Sequence, residues 1–407
     1  MPVDASSIRS HFPALSSDFV FFENAGGSQV PQSVIDATST YFRESYVQFG
    51  APYPIAERAT EEYDAAHRFA NRYVNGEGVG DVVFGSSTSA LLRMLSDAYA
   101  EVLRPGDEVV VMRGNHESCI GPWLRLERAG VRAVWWEIDR EAQTFHSHDL
   151  QEILNERTRL VAVSHVSNLL GEIHPIAEIA RMAHSVGAKV VVDGVAFAPH
   201  HALDVREWDV DFYAFSAYKV YGPHLGVLYG KSEAWEPLTG PNHFFIPKSY
   251  FPAKFELGAA SHEGAAALRG LGHYLLQVLG KQPNRDPERR EIEEAWAQLS
   301  PLESPIQDRL VSYLSSVPGV RVLGPGIGGP PRVPTVSFLH SRLSPPQICA
   351  ACAEAGIGIR YGSMYAYRLC ESLGIDPETG VVRVSMVHYN TMDEVDRLIR
   401  VLDRIFA

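Results

Sequence analysis

The sequence predicts an α/β protein: a large domain on a mainly parallel sheet, followed by a smaller α+β domain. Three observations carry that expectation. The chain has 407 residues, too many for one ordinary compact core and suited to two. Between about residues 80 and 230, short apolar, β-branched runs alternate with longer helical patterns, as parallel strands covered on both faces do. From about residue 275 that rhythm stops, and long helical stretches give way to shorter strands and helices.

The expected strands of the large domain are DVVFG (81–85), EVVVM (108–112), VRAVWWEI (131–138), RLVAVSHV (159–166), KVVVD (189–193), DFYAFS (211–216) and GVLYG (226–230). Helix candidates such as SALLRMLSDAYAEVL and IAEIARMAHSVG lie between them. Pro105, Gly106 and Asp107 form a turn signal, and Gly187 fits a helix C-cap before a strand. LGHYLLQVLG and RREIEEAWAQL read as long helices. VRVLG, TVSFL, IGIRY and VVRVSMV then read as strands, and SPPQICAACAEAG and TMDEVDRLIRVLDRIF as helices. The expected division is residues 1–30 joining the small domain, 31–275 the large domain, and 276–407 the small domain.

Composition narrows the function classes. At 45% hydrophobic and 21% charged, the chain is globular rather than disordered or fibrous. A net charge of −13 argues against nucleic-acid and anionic-membrane partners, which need a basic face. The N-terminus has no basic start followed by an apolar run, and no stretch approaches a membrane span, so a cytoplasmic setting is expected. Four cysteines are too few and too scattered for a disulfide framework. Cys349 and Cys352 form a CxxC inside a helical pattern with no second pair nearby, so they read as packing residues and no metal is expected.

In open α/β sheets, ligands collect beyond the carboxyl ends of the strands. There the sequence places Ser86, Ser87, Thr88 and Ser89 opening a helix, then His116, Asn168, Asp193 and Lys219 after successive strands. Each residue type suits one part of pyridoxal phosphate. Hydroxyls at a helix N-terminus bind a phosphate. A buried carboxylate keeps a pyridine nitrogen protonated, and a lysine forms an imine with the aldehyde and then moves protons. The histidine stacks or shuttles protons. Taken singly, each has a plainer reading: an N-cap, a structural aspartate, a surface lysine, a satisfied loop histidine. Their joint occurrence on successive strand ends favours a ligand site, and no G-x-G-x-x-G follows a strand to suggest a dinucleotide.

Nine ordered segments then resemble the class V aminotransferase / cysteine desulfurase family, in its desulfurase-like branch. They are FFENAGGSQVP, FGSSTSAL, RGNHES, SHVSNLLGEIHPI, KVVVDGVAFAPHH, DFYAFSAYKVYGPHLGVLY, FELGAASHEG, IRYGSMYAYRLC and VVRVSMVHYNTMDEVDRL. The resemblance implies a type I pyridoxal-phosphate fold, like that of aspartate aminotransferase, and a homodimer. It implies Lys219 as the Schiff-base lysine, Asp193 on the pyridinium nitrogen and His116 over the ring. It places Ser87, Thr88, Ser89 and Ser216 at the phosphate, and Asn168 near the cofactor oxygen or the substrate. Arg383 would hold the substrate carboxylate as a guanidinium fork, with Asn24, Ala25 and Arg360 lining the same pocket.

The departures bear on the reaction. Tyr365 stands where desulfurases carry the cysteine that attacks sulfur, and the next thiol, Cys370, lies past that position. Ala196 stands where a glutamine or histidine touches the cofactor oxygen, Tyr218 where a histidine often precedes the lysine, and Ala259 where a threonine reaches the partner's phosphate. The expected function is a pyridoxal-phosphate lyase or transferase on an amino acid, of C–S lyase or β-elimination type without a persulfide cysteine. Aminotransferase, epimerase, true desulfurase and a retired cofactor-binding protein stay open, because one fold carries them all.

Overall fold

The computed structural model describes residues 4–258 and 261–407, so Ala259 lies outside the described residues. The first strand, β1 (Val20–Phe21), is short and belongs with the C-terminal part of the chain. The central sheet is made of β2 (Gly80–Gly85), β3 (Glu108–Met112), β4 (Arg132–Trp136), β5 (Thr158–Ser164), β6 (Lys189–Asp193), β7 (Phe212–Ser216) and β8 (Gly226–Lys231). Their order is β2-β8-β7-β6-β5-β3-β4, and every pairing is parallel except the two made by β8.

The apolar runs are continuous because these strands are buried on both faces. Along β3, Val110 and Met112 enter one core with Phe69, Tyr73, Leu271 and Trp296. Val109 and Val111 enter the other, with Leu91, Leu95, Tyr99 and Trp123. That alternation is the period of two that a pleated strand imposes. One face is covered by the helix Thr88–Ala100, and the helix Ile176–Ser185 packs on the opposite one.

A second sheet, β12-β13-β10-β9, is antiparallel and is built from β9 (Val320–Leu323), β10 (Thr335–His340), β12 (Arg360–Gly362) and β13 (Val381–Ser385). The helices Pro345–Glu354 and Met392–Phe406 cover it, and Cys349 and Cys352 lie in their shared core. No metal-binding cluster of His, Cys, Asp and Glu occurs among the described residues. No helix among them is long and apolar enough to cross a membrane.

Two expectations need revision. IGIRY is not one strand: β11 (Ile357–Gly358) pairs parallel with β1, while β12 pairs antiparallel with β13. The chain changes partner at Ile359, because the N-terminal segment supplies a competing edge. The expected boundary at 275/276 falls inside the continuous helix His262–Val278. The next helix, Arg289–Leu299, sends Ile292, Ala295, Trp296 and Leu299 into the large core, whereas Ile306 and Leu310 enter the small one with Val20 and Phe22.

Candidate active site

Because β2, β3, β5, β6 and β7 run parallel, their carboxyl ends share one edge of the sheet. Beyond β2, the Ser87 hydroxyl caps the helix Thr88–Ala100 by accepting from the Ala90 N–H at 3.1 Å. Thr88 is buried, and its hydroxyl lies 2.8 Å from that of Ser216 at the end of β7. Ser86 and Ser89 are exposed. Gly226 opens β8 directly beneath this turn, and a Cβ there would lie 2.4 Å from the carbonyl carbon of Ser87. The result is a helix N-terminus with two adjoining hydroxyls, a ready anion site.

Asp193 ends β6 and is 5% exposed, with Oδ1 accepting from the Val195 N–H at 3.0 Å. Burial raises its carboxyl pKa, against the opposing pull of that N–H and of Lys219. A cation placed against it would offset that shift by favouring the charged form. Lys219 sits in the turn after β7, where Ser28 fixes the backbone: its N–H donates to Tyr218 O at 3.1 Å and its hydroxyl to Lys219 O at 2.5 Å. Burial, helped by Arg383, pushes the Lys219 ammonium down to about 8, with Asp193 and Glu23 opposing. The Lys219 Nζ lies 5.9 Å from the Tyr218 ring centre, and Tyr218 stacks on His224 at 4.7 Å. Burial raises the Tyr218 phenol, and Asp193 adds to the shift.

His116 follows β3. Its Nδ1 accepts from the Ser118 N–H at 3.1 Å, which leaves the proton of the neutral ring on Nε2. Burial, then Lys219 and Arg383, push its pKa down to about 3, so the ring is neutral at ordinary pH. Thr88, Ser89, His116, Asn168, Asp193, Ala196, Ser216, Tyr218 and Lys219 all line one cavity, together with Ser118, Ser164 and Val166.

Arg383 is contributed by β13 and is 3% exposed. Its Nη1 donates to Asn168 O at 3.1 Å, its Nε has no partner, and no carboxylate among the described residues lies within ion-pair distance. Burial lowers its pKa to about 10, with Glu23 opposing. Asn168 donates through Nδ2 to Met364 O at 2.7 Å and leaves Oδ1 unpartnered, an acceptor open to a substrate donor.

The remaining expected residues sit further out. Asn24 is buried, but its amide donates to Phe21 O, Ser385 O and Asn390 Oδ1 and accepts from Tyr389, so its side chain is saturated within the protein. Ala25 donates its N–H to Ser385 Oγ at 2.9 Å. Arg360, the cross-strand neighbour of Arg383, is exposed and paired with Glu23 at 2.6 Å. Tyr365 is 69% exposed at the tip of the loop after β12. Sequence reasoning missed Glu23, Glu117 and Ser118. Glu23 stands within a quoted segment, but its partner Arg360 lies 337 residues away, beyond any spacing signal.

A buried carboxylate short of a cation, a lysine of lowered pKa and a hydroxyl-lined helix N-terminus fit the ring nitrogen, aldehyde and phosphate of pyridoxal phosphate. This fold and site define a pyridoxal-phosphate enzyme of fold type I, with pyridoxal phosphate as its cofactor. The model of the family Aminotransferase class-V matches residues 20–398. The aminotransferase-like protein FGM3 of Gibberella zeae is 40% identical, with 98% of each chain covered. The cysteine desulfurase-like protein ustD of Aspergillus flavus is 31% identical over 99% of this chain and 91% of its own. Among solved structures, the apo structure of cysteine desulfurase from Thermococcus onnurineus NA1 is similar at a TM-score of 0.87 and 25% identity, covering 100% of this chain and 98% of that one. The chain belongs to the class-V aminotransferase family.

Proposed function

We propose that the chain is a lyase on an amino-acid substrate, cleaving a cysteine derivative by C–S cleavage of the β-elimination type without an enzyme persulfide. The observation that carries this reading is the state of the thiols. Cys119, Cys349, Cys352 and Cys370 are all buried, and Tyr365 occupies the loop tip. Burial pushes the Cys370 thiol up to about 11, which keeps it protonated and a poor nucleophile. Elimination needs no protein thiol.

The side chains then take these roles. Arg383 receives the substrate carboxylate on its free guanidinium edge. Lys219 takes the proton from the α carbon. With a pKa near 8 its amine is unprotonated in about a tenth of molecules at pH 7, against about one in three thousand at the ordinary value. Asp193 holds the cofactor's ring nitrogen, His116 covers the ring, and Thr88, Ser216 and the helix N-terminus hold the phosphate. Pyridoxal phosphate, when bound, supplies the electron sink for the bond broken at the α carbon. We take the enzyme to act as a homodimer in the cytoplasm.

The test is to give the loaded protein S-substituted cysteines. Equal amounts of thiol, 2-oxo acid and ammonium are expected, with no persulfide on any cysteine after alkylation and mass spectrometry. A persulfide on Cys370 at turnover levels would make the chain a desulfurase. Amino transfer to an added 2-oxo acid without thiol release would make it an aminotransferase.

A further inference from the structure

We propose that Tyr365 is the general acid that protonates the departing sulfur, taking over with a phenol the loop position from which a thiol would attack. The inference rests on the elimination reading above. Its starting point is a backbone that no local preference explains. Met364 (φ 52°) and Tyr365 (φ 60°) are consecutive non-glycine residues in the left-handed region, a conformation that persists only where surroundings enforce it.

Here the enforcing groups belong to the site. Asn168 donates to Met364 O at 2.7 Å, and the N–H of Glu117, next to His116, donates to Tyr365 O at 2.8 Å. Arg368, three residues past Tyr365, reaches Glu117 at 3.3 Å. The two carbonyls of the strained tip are therefore clamped from two different strand ends of the large sheet. The clamp sets the Tyr365 ring 5.1 Å from the His116 ring, tilted by 41°. Its phenol lies within electrostatic reach of Tyr218 and Arg360. It thus stands against His116, which lines the cavity, and near Arg360, the cross-strand neighbour of Arg383.

The neighbouring groups are poorly suited to the task. His116 is held neutral by burial, and Lys219 is occupied by the α proton. Tyr218 is half-buried beside Lys219, whereas Tyr365 is open to water and can be recharged. The step balances as follows. The α proton passes to the Lys219 amine, and the Cβ–S bond breaks with both electrons going to sulfur. The Tyr365 O–H proton forms the S–H bond, and solvent returns a proton to the phenolate. The three-carbon remnant takes up water to give a 2-oxo acid and ammonium. Water is the one co-reactant.

The experiment compares S-ethyl-L-cysteine, whose alkyl thiolate leaves poorly, with S-(4-nitrophenyl)-L-cysteine, whose aryl thiolate leaves well. For Tyr365→Phe, kcat on the ethyl substrate should fall about 100-fold or more, the lower range of general-acid catalysis, and change less than about threefold on the nitrophenyl one. Binding of L-alanine, which has no leaving group, read from the cofactor's absorbance, should stay unchanged. Equal losses on both substrates would overturn the proposal. So would a normal Tyr365→Phe beside a weakened Tyr365→Ala, because the ring would then be only a wall. Should the unaltered protein release neither thiol while L-alanine still shifts the absorbance, the elimination reading itself fails and takes this proposal with it.

Discussion

A guanidinium buried to 3% exposure with an unpartnered Nε is an unusual thing for a protein to keep. Arg383 keeps it on the middle of a strand, beside a carbonyl and within reach of Lys219 and His116. A structural arginine so placed would be expected to have its own carboxylate, as Arg360 has Glu23. The buried, unpartnered guanidinium edge is the argument for a substrate carboxylate. Arg383→Ala should therefore lower kcat/KM by roughly 30- to several-thousand-fold, the equivalent of about 2–5 kcal/mol for losing one partner of a desolvated charge pair. The cofactor spectrum should stay normal, and Arg383→Lys should rescue only partly, because an ammonium cannot make two parallel hydrogen bonds. Steady-state kinetics on any turned-over substrate decide it, and a change under about threefold would mean the carboxylate is held elsewhere. At this scale the sequence was legible where residues follow strands. Thr88, His116, Asn168, Asp193 and Lys219 all reach one cavity because each strand end points at the same sheet edge. It was not legible where roles depend on long-range pairing. Asn24 gave no sign that Tyr389 and Asn390, far along the chain, would saturate its amide.

Secondary structure was readable where burial alone decides it. DVVFG becomes Gly80–Gly85 and GVLYG becomes Gly226–Lys231, because apolar side chains are needed on both faces of a covered sheet. The direction of β8 was not readable, since an antiparallel strand buried on both faces carries the same apolar run as its parallel neighbours. Nor was the split at Ile359, which depends on where β1 docks. The antiparallel β8 has a consequence at the site, because its first residue, Gly226, passes under the turn of Ser87 and Thr88. A methyl group there would lie 2.4 Å from Ser87 C and 2.7 Å from Thr88 N, both backbone atoms that cannot swing aside. Gly226→Ala should displace the turn at an overpacking cost of about 1–3 kcal/mol. If that falls on the loaded state, pyridoxal phosphate binding weakens by roughly 5- to 150-fold. Absorbance titration of the cofactor measures this. Gly326→Ala, where nothing lies within 4 Å and φ is unremarkable, serves as the control and should bind normally. Unchanged affinity in Gly226→Ala would show that the turn tolerates the shift and does not grip the phosphate.

At the scale of the whole molecule, one surface does not look finished. Between β8 and the helix His262–Val278 the chain exposes Phe244 (97%), Phe245 (69%), Tyr250 (61%) and Leu257 (67%). Large apolar groups so clustered usually mark a protein contact rather than a solvated face. The same stretch forms one wall of a cleft of about 770 Å³, whose other wall includes Ser86, Ala90 and Met94, just before and along the helix Thr88–Ala100. A second copy of the chain seated on this face would bury the aromatic residues and close the cleft beside Ser86. Sedimentation at micromolar concentration should therefore give twice the chain mass of 45.0 kDa. Replacing Phe244 and Phe245 together by serine should shift the protein toward monomers. It should also weaken cofactor binding, because the cleft beside Ser86 would then lie open to water. The two readouts separate the possibilities. Dimers that persist in the double variant would place the contact elsewhere. Monomers that keep full cofactor affinity would show that each copy completes its own site, and that the cleft beside Ser86 owes nothing to a partner.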